Sequence, residues 1–164
     1  MIAGLLLAAS TASFSLRSGD FVSGGALPRQ LMASDCGGTN RSPSLAWSGE
    51  PAGTKSYAIV VHDADAPVSG GFYHWVLYDI PAGKHDLAGN AAVPPAELGV
   101  ATTGHRAYYG PCPPPGPQHH YTFTIYALDI ASVGRGDALT ASELLARMAG
   151  HVLAKSTLRA TAQS

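Results

Sequence analysis

The sequence predicts a mainly β fold with a single late helix, and three observations carry that reading. Three runs, SYAIVVHD (56–63), FYHWVLYDI (72–80) and HHYTFTIYALDI (119–130), are dense in β-branched and aromatic residues. Glycine (19) and proline (12) punctuate the rest, which suits short strands and turns rather than a helical bundle. Near the end, Thr140-Ala141-Ser142-Glu143 has capping-box spacing ahead of an apolar periodicity.

From the N-terminus, MIAGLLLAASTA has the apolar run and small-residue end of a secretory signal, without its basic start. We read residues 1–12 as the remnant of a truncated signal peptide and 13–164 as a single domain. The competing reading of 1–12 is a buried first strand. Residues 35–54 are rich in turn formers around one short apolar piece, SLAW, and contain the glycosylation-type triplet Asn40-Arg41-Ser42.

Residues 56–63 are apolar on both parities, as expected of a central strand covered on both faces. Residues 72–80 form the next strand, stopped by Pro81-Ala82-Gly83, and the link ADAPVSGG is a tight polar turn. Residues 81–118 are mostly loop and include YYGPCPPPGPQ; ordered loops of that length are often functional. Residues 119–130 make the third strong strand. The helix follows Thr140, with Leu144, Leu145, Met148 and Val152 on one face and His151 within it.

At 46% hydrophobic and 13% charged residues the chain is globular rather than disordered. A net charge of −1 supplies no broad basic field for nucleic acid. No stretch reaches the ~18 apolar residues of a membrane span. The two cysteines, Cys36 and Cys112, form no CxxC pair, so neither zinc nor thioredoxin chemistry is indicated. In an exported protein they suit one disulfide; in the cytosol they would be two inert thiols.

The chemistry gathers at strand ends. Alternation puts Asp63 on one face with Tyr57, Ile59 and Val61, and His74 with Phe72, Val76 and Tyr78. It puts His119 and Tyr121 together, with His120 opposite. Antiparallel pairing brings the end of the first strand and the starts of the other two to one rim. Asp63, His74, His119 and Tyr121 then form a patch of donors in which the carboxylate fixes a histidine tautomer. Taken singly, each residue reads as a satisfied polar side chain or a turn former; the four together, next to DADAP and GPCPPPG, read as a site. His62, His85 and His105 lack such companions and read as surface or structural.

The motifs DADAP, FYHWVLYDIPAG and GPCPPPGPQHHYTFTIYALD, with CGGTNRSPSLAWSGEPAGTKSYAIVVHDADAP upstream, resemble the phosphatidylethanolamine-binding protein family, also called Raf kinase inhibitor-like proteins. The resemblance runs from Phe21 to Val152 and is nearer to the bacterial, exported branch. It implies an antiparallel β-sandwich of two sheets, with one or two helices near the C-terminus. It also implies a small pocket for phosphate-type head groups. The family motif falls on Asp63, Asp65, Ala66 and Pro67, with a cis peptide before Pro67, and the pocket histidine falls on His74. Its proline stretch falls on Gly110, Pro113 and Pro114, and its His-x-Tyr on His119 and Tyr121. Cys36 and Cys112 resemble the cysteine pair of exported members, which implies a disulfide and a periplasmic or secreted location, with the cytoplasm as the alternative. Ala64 and His120 depart from the common Pro and Arg, and the tail AKSTLRATAQS carries no aromatic.

The leading expectation is a non-enzymatic protein that binds a small phosphorylated or carboxylated ligand at these residues. A kinase or protease partner and a homodimer accompany it, with no cofactor and no metal. One alternative is an acid–base hydrolase using Asp63, His74 and His119. Another is a metal site made by the same three residues.

Overall fold

The computed structural model describes residues 13–94 and 97–164, so the signal-like segment lies outside the described residues. The strands are β1 (Ser15–Ser18), β2 (Leu45–Ser48), β3 (Ser56–Asp63), β4 (Phe72–Pro81), β5 (Asp86–Leu87), β6 (His119–Leu128) and β7 (Val152–Ala162), and helix α1 is Ala141–Met148. They form a small sheet in the order β1-β2-β5 and a larger one in the order β4-β3-β6-β7, with antiparallel neighbours throughout. The mainly β expectation, with one helix near the C-terminus, holds.

β3 is apolar on both parities because the large sheet is covered on both faces. Tyr57, Ile59 and Val61 face the small sheet and meet Leu45, Trp47 and Leu87. Ala58 and Val60 face the other way and pack beneath Leu144 and Met148 of α1. Full burial of each large apolar side chain contributes roughly 1.5–3 kcal/mol. The helix starts where its capping box placed it. Glu143 N donates to Thr140 Oγ1, and Thr140 N donates to the Glu143 carboxylate at 2.8 Å. It stops at Met148, and Gly150 turns the chain at φ +83. Val152 and His151 therefore leave the helix. Val152 opens β7 as an exposed residue, and His151 sits in the turn, 2.8 Å from Asp129.

Two register shifts interrupt the β3–β4 ladder. In the first, Val61 pairs with Trp75 and His62 with Tyr73, so His74 is an extra residue in a β-bulge. This corrects the expected face. His74 stays on the side of Phe72 and Asp63, while Val76 and Tyr78 belong to the opposite core. In the second, Asp79 adopts φ 57 while buried, and its carboxylate accepts from Ser132 Oγ at 2.6 Å and Val133 N at 2.7 Å.

Candidate functional site

The rim of the large sheet where β3 ends and β4 and β6 begin carries a cavity of roughly 120 Å³. That is about four times the volume of a water in the liquid, enough for a phosphoryl or carboxyl group and too small for a whole lipid. Its wall includes Asp63, Pro67, His74, Pro113, Pro114, His119 and Tyr121. Ala66, Val68, Phe72, Tyr109 and Cys112 complete it beside them. Asp63, His74, His119 and Tyr121 are 3%, 4%, 6% and 1% exposed. A wider groove of about 620 Å³, lined by Leu27, Met32 and Thr161, lies on the other side of Cys36 and presents no imidazole or acidic side chain.

Each polar group has a defined orientation. Asp63 pairs with Tyr121 across the β3–β6 ladder. Its Oδ2 accepts from His119 Nδ1 at 2.7 Å, and its Oδ1 accepts from Asp65 N at 2.9 Å. A carboxylate offers only acceptors, so His119 holds its proton on Nδ1. His74 is clasped twice to Tyr109: its Nδ1 donates to Tyr109 O at 2.7 Å, and its own carbonyl, freed by the bulge, accepts from Tyr109 N at 2.9 Å. A carbonyl also only accepts, so His74 too is protonated on Nδ1. Neither Nε2 bonds to a described residue, and both rings line the cavity. The Tyr121 hydroxyl is buried with no hydrogen-bond partner among the described residues. Its ring meets His74 edge-on at 5.2 Å.

Burial pushes the His74 pKa down to about 4, against opposing pulls from its bond to Tyr109 and from Asp63. The imidazole is therefore neutral at pH 7. Burial, then the neighbouring Asp63 charge, push the Tyr121 phenol well above its ordinary range, so it stays protonated.

The remaining expected residues act around the cavity rather than in its wall. Asp65 is exposed, and its carboxylate accepts from both the backbone N and Nδ1 of His120 at 2.8 Å, which braces the turn. That pairing lowers the Asp65 pKa. Gly110 sits where a Cβ would lie 2.5 Å from Ala33 N, so only glycine lets this loop approach residues 31–33. The peptide before Pro67 is trans, against expectation. The turn closes instead through Val68 N donating to Ala66 O, with Gly70 and Gly71 at positive φ. Among the described residues, no group of three or more His, Cys, Asp or Glu side chains is placed to hold a metal ion, the set Asp63, His74 and His119 included.

The loop is held from a distance. Cys36 and Cys112 form a disulfide, and Cys112 belongs to the cavity wall. Tyr109 Oη donates to Asp35 at 3.1 Å. Asn40, at φ 53, uses both ends of its amide: Nδ2 donates to Tyr108 O, and Oδ1 accepts from Gly110 N at 2.7 Å. At the far side Ser164 Oγ bonds Pro113 O, and Gln163 donates to Gly116 O. Asn40, Phe72 and Tyr109 were missed by sequence reasoning. Tyr109, inside the proline-rich loop, and Phe72, on the expected face of His74, carried a signal.

Comparison with known proteins agrees with the fold. The profile of the family described as phosphatidylethanolamine-binding protein matches residues 17–163. The UPF0098 protein YbhB of Escherichia coli (strain K12) is 35% identical over 153 residues, covering 88% of this chain and 97% of YbhB. LppC of Mycobacterium tuberculosis (strain H37Rv), named as a candidate lipoprotein, is 41% identical over 113 residues, covering 68% of this chain and 53% of LppC. The crystal structure of E. coli YbcL, described as a new member of the mammalian PEBP family, superposes with a TM-score of 0.87 at 30% identity. The match covers 93% of this chain and 99% of YbcL. The chain belongs to the phosphatidylethanolamine-binding protein family and stands among its bacterial members.

Proposed function

We propose that this protein is a non-enzymatic binding protein for a small anionic head group of phosphoryl or carboxyl type, held at His74, His119 and Tyr121 under the Pro113-Pro114 lip. The observation that carries the reading is the Tyr121 hydroxyl. It is a buried donor with no hydrogen-bond partner among the described residues, beside the Asp63 carboxylate and in the wall of a cavity where two oriented imidazoles keep a free nitrogen. An orphaned buried hydroxyl costs about 1–3 kcal/mol, which a ligand oxygen recovers. Titration calorimetry with inorganic phosphate tests it. Wild type binds, and Tyr121→Phe binds roughly tenfold more weakly with its thermal stability retained. Absence of heat and of any ligand-induced melting shift in wild type refutes the reading.

One observation favours a second reading, an acid–base hydrolase: the Asp63–His119 pair at 2.7 Å resembles a base and its orienting carboxylate. The nearest thiol, Cys112, is locked in the disulfide, which leaves a water as the nucleophile. Turnover of a p-nitrophenyl phosphate or acetate ester that disappears in His119→Ala as well as in His74→Ala would favour it over binding alone.

The proposal extends to location and partners. The disulfide and the lipoprotein-type name of LppC support an exported protein. Among the described residues no helix is long and apolar enough to cross a membrane. A kinase or protease partner would sense the occupied rim, and pull-down with and without phosphate tests that part.

A further inference from the structure

The large sheet has two edges, and one stretch of one of them is open. Along β4, Leu98 bridges Leu77, Gly99 N donates to Val76 O and Thr102 N donates to Tyr73 O, so residues 98–102 close that edge. Along β7, residues 24–27 close the end nearer the cavity. Gly24 N donates to Arg159 O, Thr161 N donates to Gly25 O, and Leu27 N donates to Thr161 O. Odd-numbered residues of β7 therefore turn their backbone groups away from β6. The next two in that series, Thr157 and Lys155, have no backbone partner on the outer side among the described residues. Such an edge is a template for one more strand.

The side chains of the same stretch carry charge. Leu158, Ala160 and Ala162 face the core, so Lys155, Thr157 and Arg159 stand on the opposite face, and all three are exposed. Their neighbours across the β6 ladder are Tyr126, Thr124 and Thr122, so no carboxylate lies beside either cation. Neither Lys155 nor Arg159 forms an ion pair within the described residues. Four residues of strand separate them by about 13 Å. Val152 and Leu153, each 41% exposed, add apolar surface where the strand begins.

We infer that the open edge of β7 receives an extended acidic segment of a partner protein, which joins the large sheet as a fifth strand and sets carboxylates at alternate positions against Lys155 and Arg159. The unbonded N–H and C=O groups call for a peptide backbone, which a nucleic acid or a polysaccharide does not supply. The period of two then puts every second side chain of the incoming strand on the cationic face. A second copy of this chain fits badly. A two-fold axis at Lys155 would set that lysine against its own copy. An axis at Ser156 would make the two lysines diagonal neighbours, and one at Thr157 would set Lys155 against Arg159. Like charges so placed destabilise the pairing, so the same cations that attract an acidic strand keep two copies apart. The free stretch lies toward the end of β7 away from the cavity, because Ala162 pairs with His119 at the rim and Lys155 pairs with Tyr126.

The test titrates the isotope-labelled full chain with a short capped peptide that alternates glutamate with threonine and valine, followed by amide spectra and hydrogen exchange. The amides of Lys155 and Thr157 should shift and gain protection, and the same peptide with lysine in place of glutamate should bind at least roughly tenfold more weakly. Thr157→Pro removes an outward N–H without touching the β6 ladder, and should weaken the acidic peptide by about tenfold. The double variant Lys155→Glu with Arg159→Glu changes only exposed side chains and should reverse the preference toward the lysine peptide, whatever Thr157→Pro does to folding. Phosphate binding at the cavity should be the same in wild type and in the double variant, which separates failure here from failure of the cavity reading. Equal affinity for the two peptides, protection that falls elsewhere than on β7, or an unreversed preference in the double variant overturns the inference. Absence of binding by the acidic peptide overturns it as well. A dimer that protects Lys155 and Thr157 without any peptide overturns it in favour of a second copy.

Discussion

Replacing Asp63 by asparagine should switch the proton on His119 from one ring nitrogen to the other. Asp63 Oδ1 accepts a backbone N–H from Asp65 at 2.9 Å, and Oδ2 accepts from His119 Nδ1 at 2.7 Å. Asparagine has one oxygen and one NH2. The Asp65 N–H is a fixed donor, so the amide oxygen must turn toward it, and the NH2 then faces His119 Nδ1. The ring satisfies that contact by giving up its Nδ1 proton and carrying it on Nε2, toward the cavity. In energy, a charge-assisted bond of about 1.5–3 kcal/mol is exchanged for a neutral one of about 0.5–1.5 kcal/mol. The net loss is about 1–1.5 kcal/mol, or a melting temperature lower by about 2–6 °C for a chain of this size. Asp63→Ala, which leaves the buried Nδ1–H without a partner, should cost about 2–3 kcal/mol. Long-range proton–nitrogen correlation spectra of the histidine rings at pH 7 read the tautomer directly, and urea unfolding reads the stability. A His119 that keeps its Nδ1 proton in Asp63→Asn, with stability unchanged, would refute the orienting role of the carboxylate.

Acid should destabilise the protein through His74. Its folded pKa of about 4 lies below the unfolded 6.5, so the unfolded chain binds the extra proton first. Stability is therefore highest above pH 6.5 and falls toward pH 4 by about 3 kcal/mol, a slope that His74→Gln should flatten in urea melts. Removing the Cys36–Cys112 crosslink, whose ends lie 76 residues apart, should cost up to about 4.5 kcal/mol, read as the drop in urea midpoint on adding a reductant. Gly110→Ala should weaken phosphate binding in calorimetry as well as lower the melting temperature, because the new methyl meets the backbone of Leu31 and Ala33 and pushes the loop off Asn40.

The strands that build the rim were legible because burial on both faces leaves a strong mark. The 56–63 run coincides with β3, and β4 and β6 begin at the expected Phe72 and His119. β7 left no comparable mark. Of its eleven residues only Leu158, Ala160 and Ala162 are buried, and its first residue fits the helical spacing of Leu144 and Met148. Gly150 was the available stop signal. The face of His74 was not readable either, since a bulge breaks the period of two on which any face assignment depends. The convergence of Asp63, His119 and Tyr121 followed from antiparallel geometry alone. The anchoring by Asn40 did not, because its partners are backbone groups roughly seventy positions away, and nothing in the local sequence encodes that distance.

The bulge gives the rim a modular character. His74 is the residue that the β3–β4 ladder does not count: Val61 with Trp75 and His62 with Tyr73 would be consecutive rungs of a regular hairpin without it. One added amino acid thus lowers an imidazole into the cavity and turns a carbonyl toward Tyr109, while its neighbours keep their cross-strand partners. Excising that single position should yield a hairpin straighter at the rim, with only the shift near Asp79 left, that still closes the sandwich but has lost a wall of its cavity. Fold and recognition then depend on separable letters of the same segment, and relatives could gain or lose the site by a one-codon insertion or deletion rather than by rebuilding a sheet.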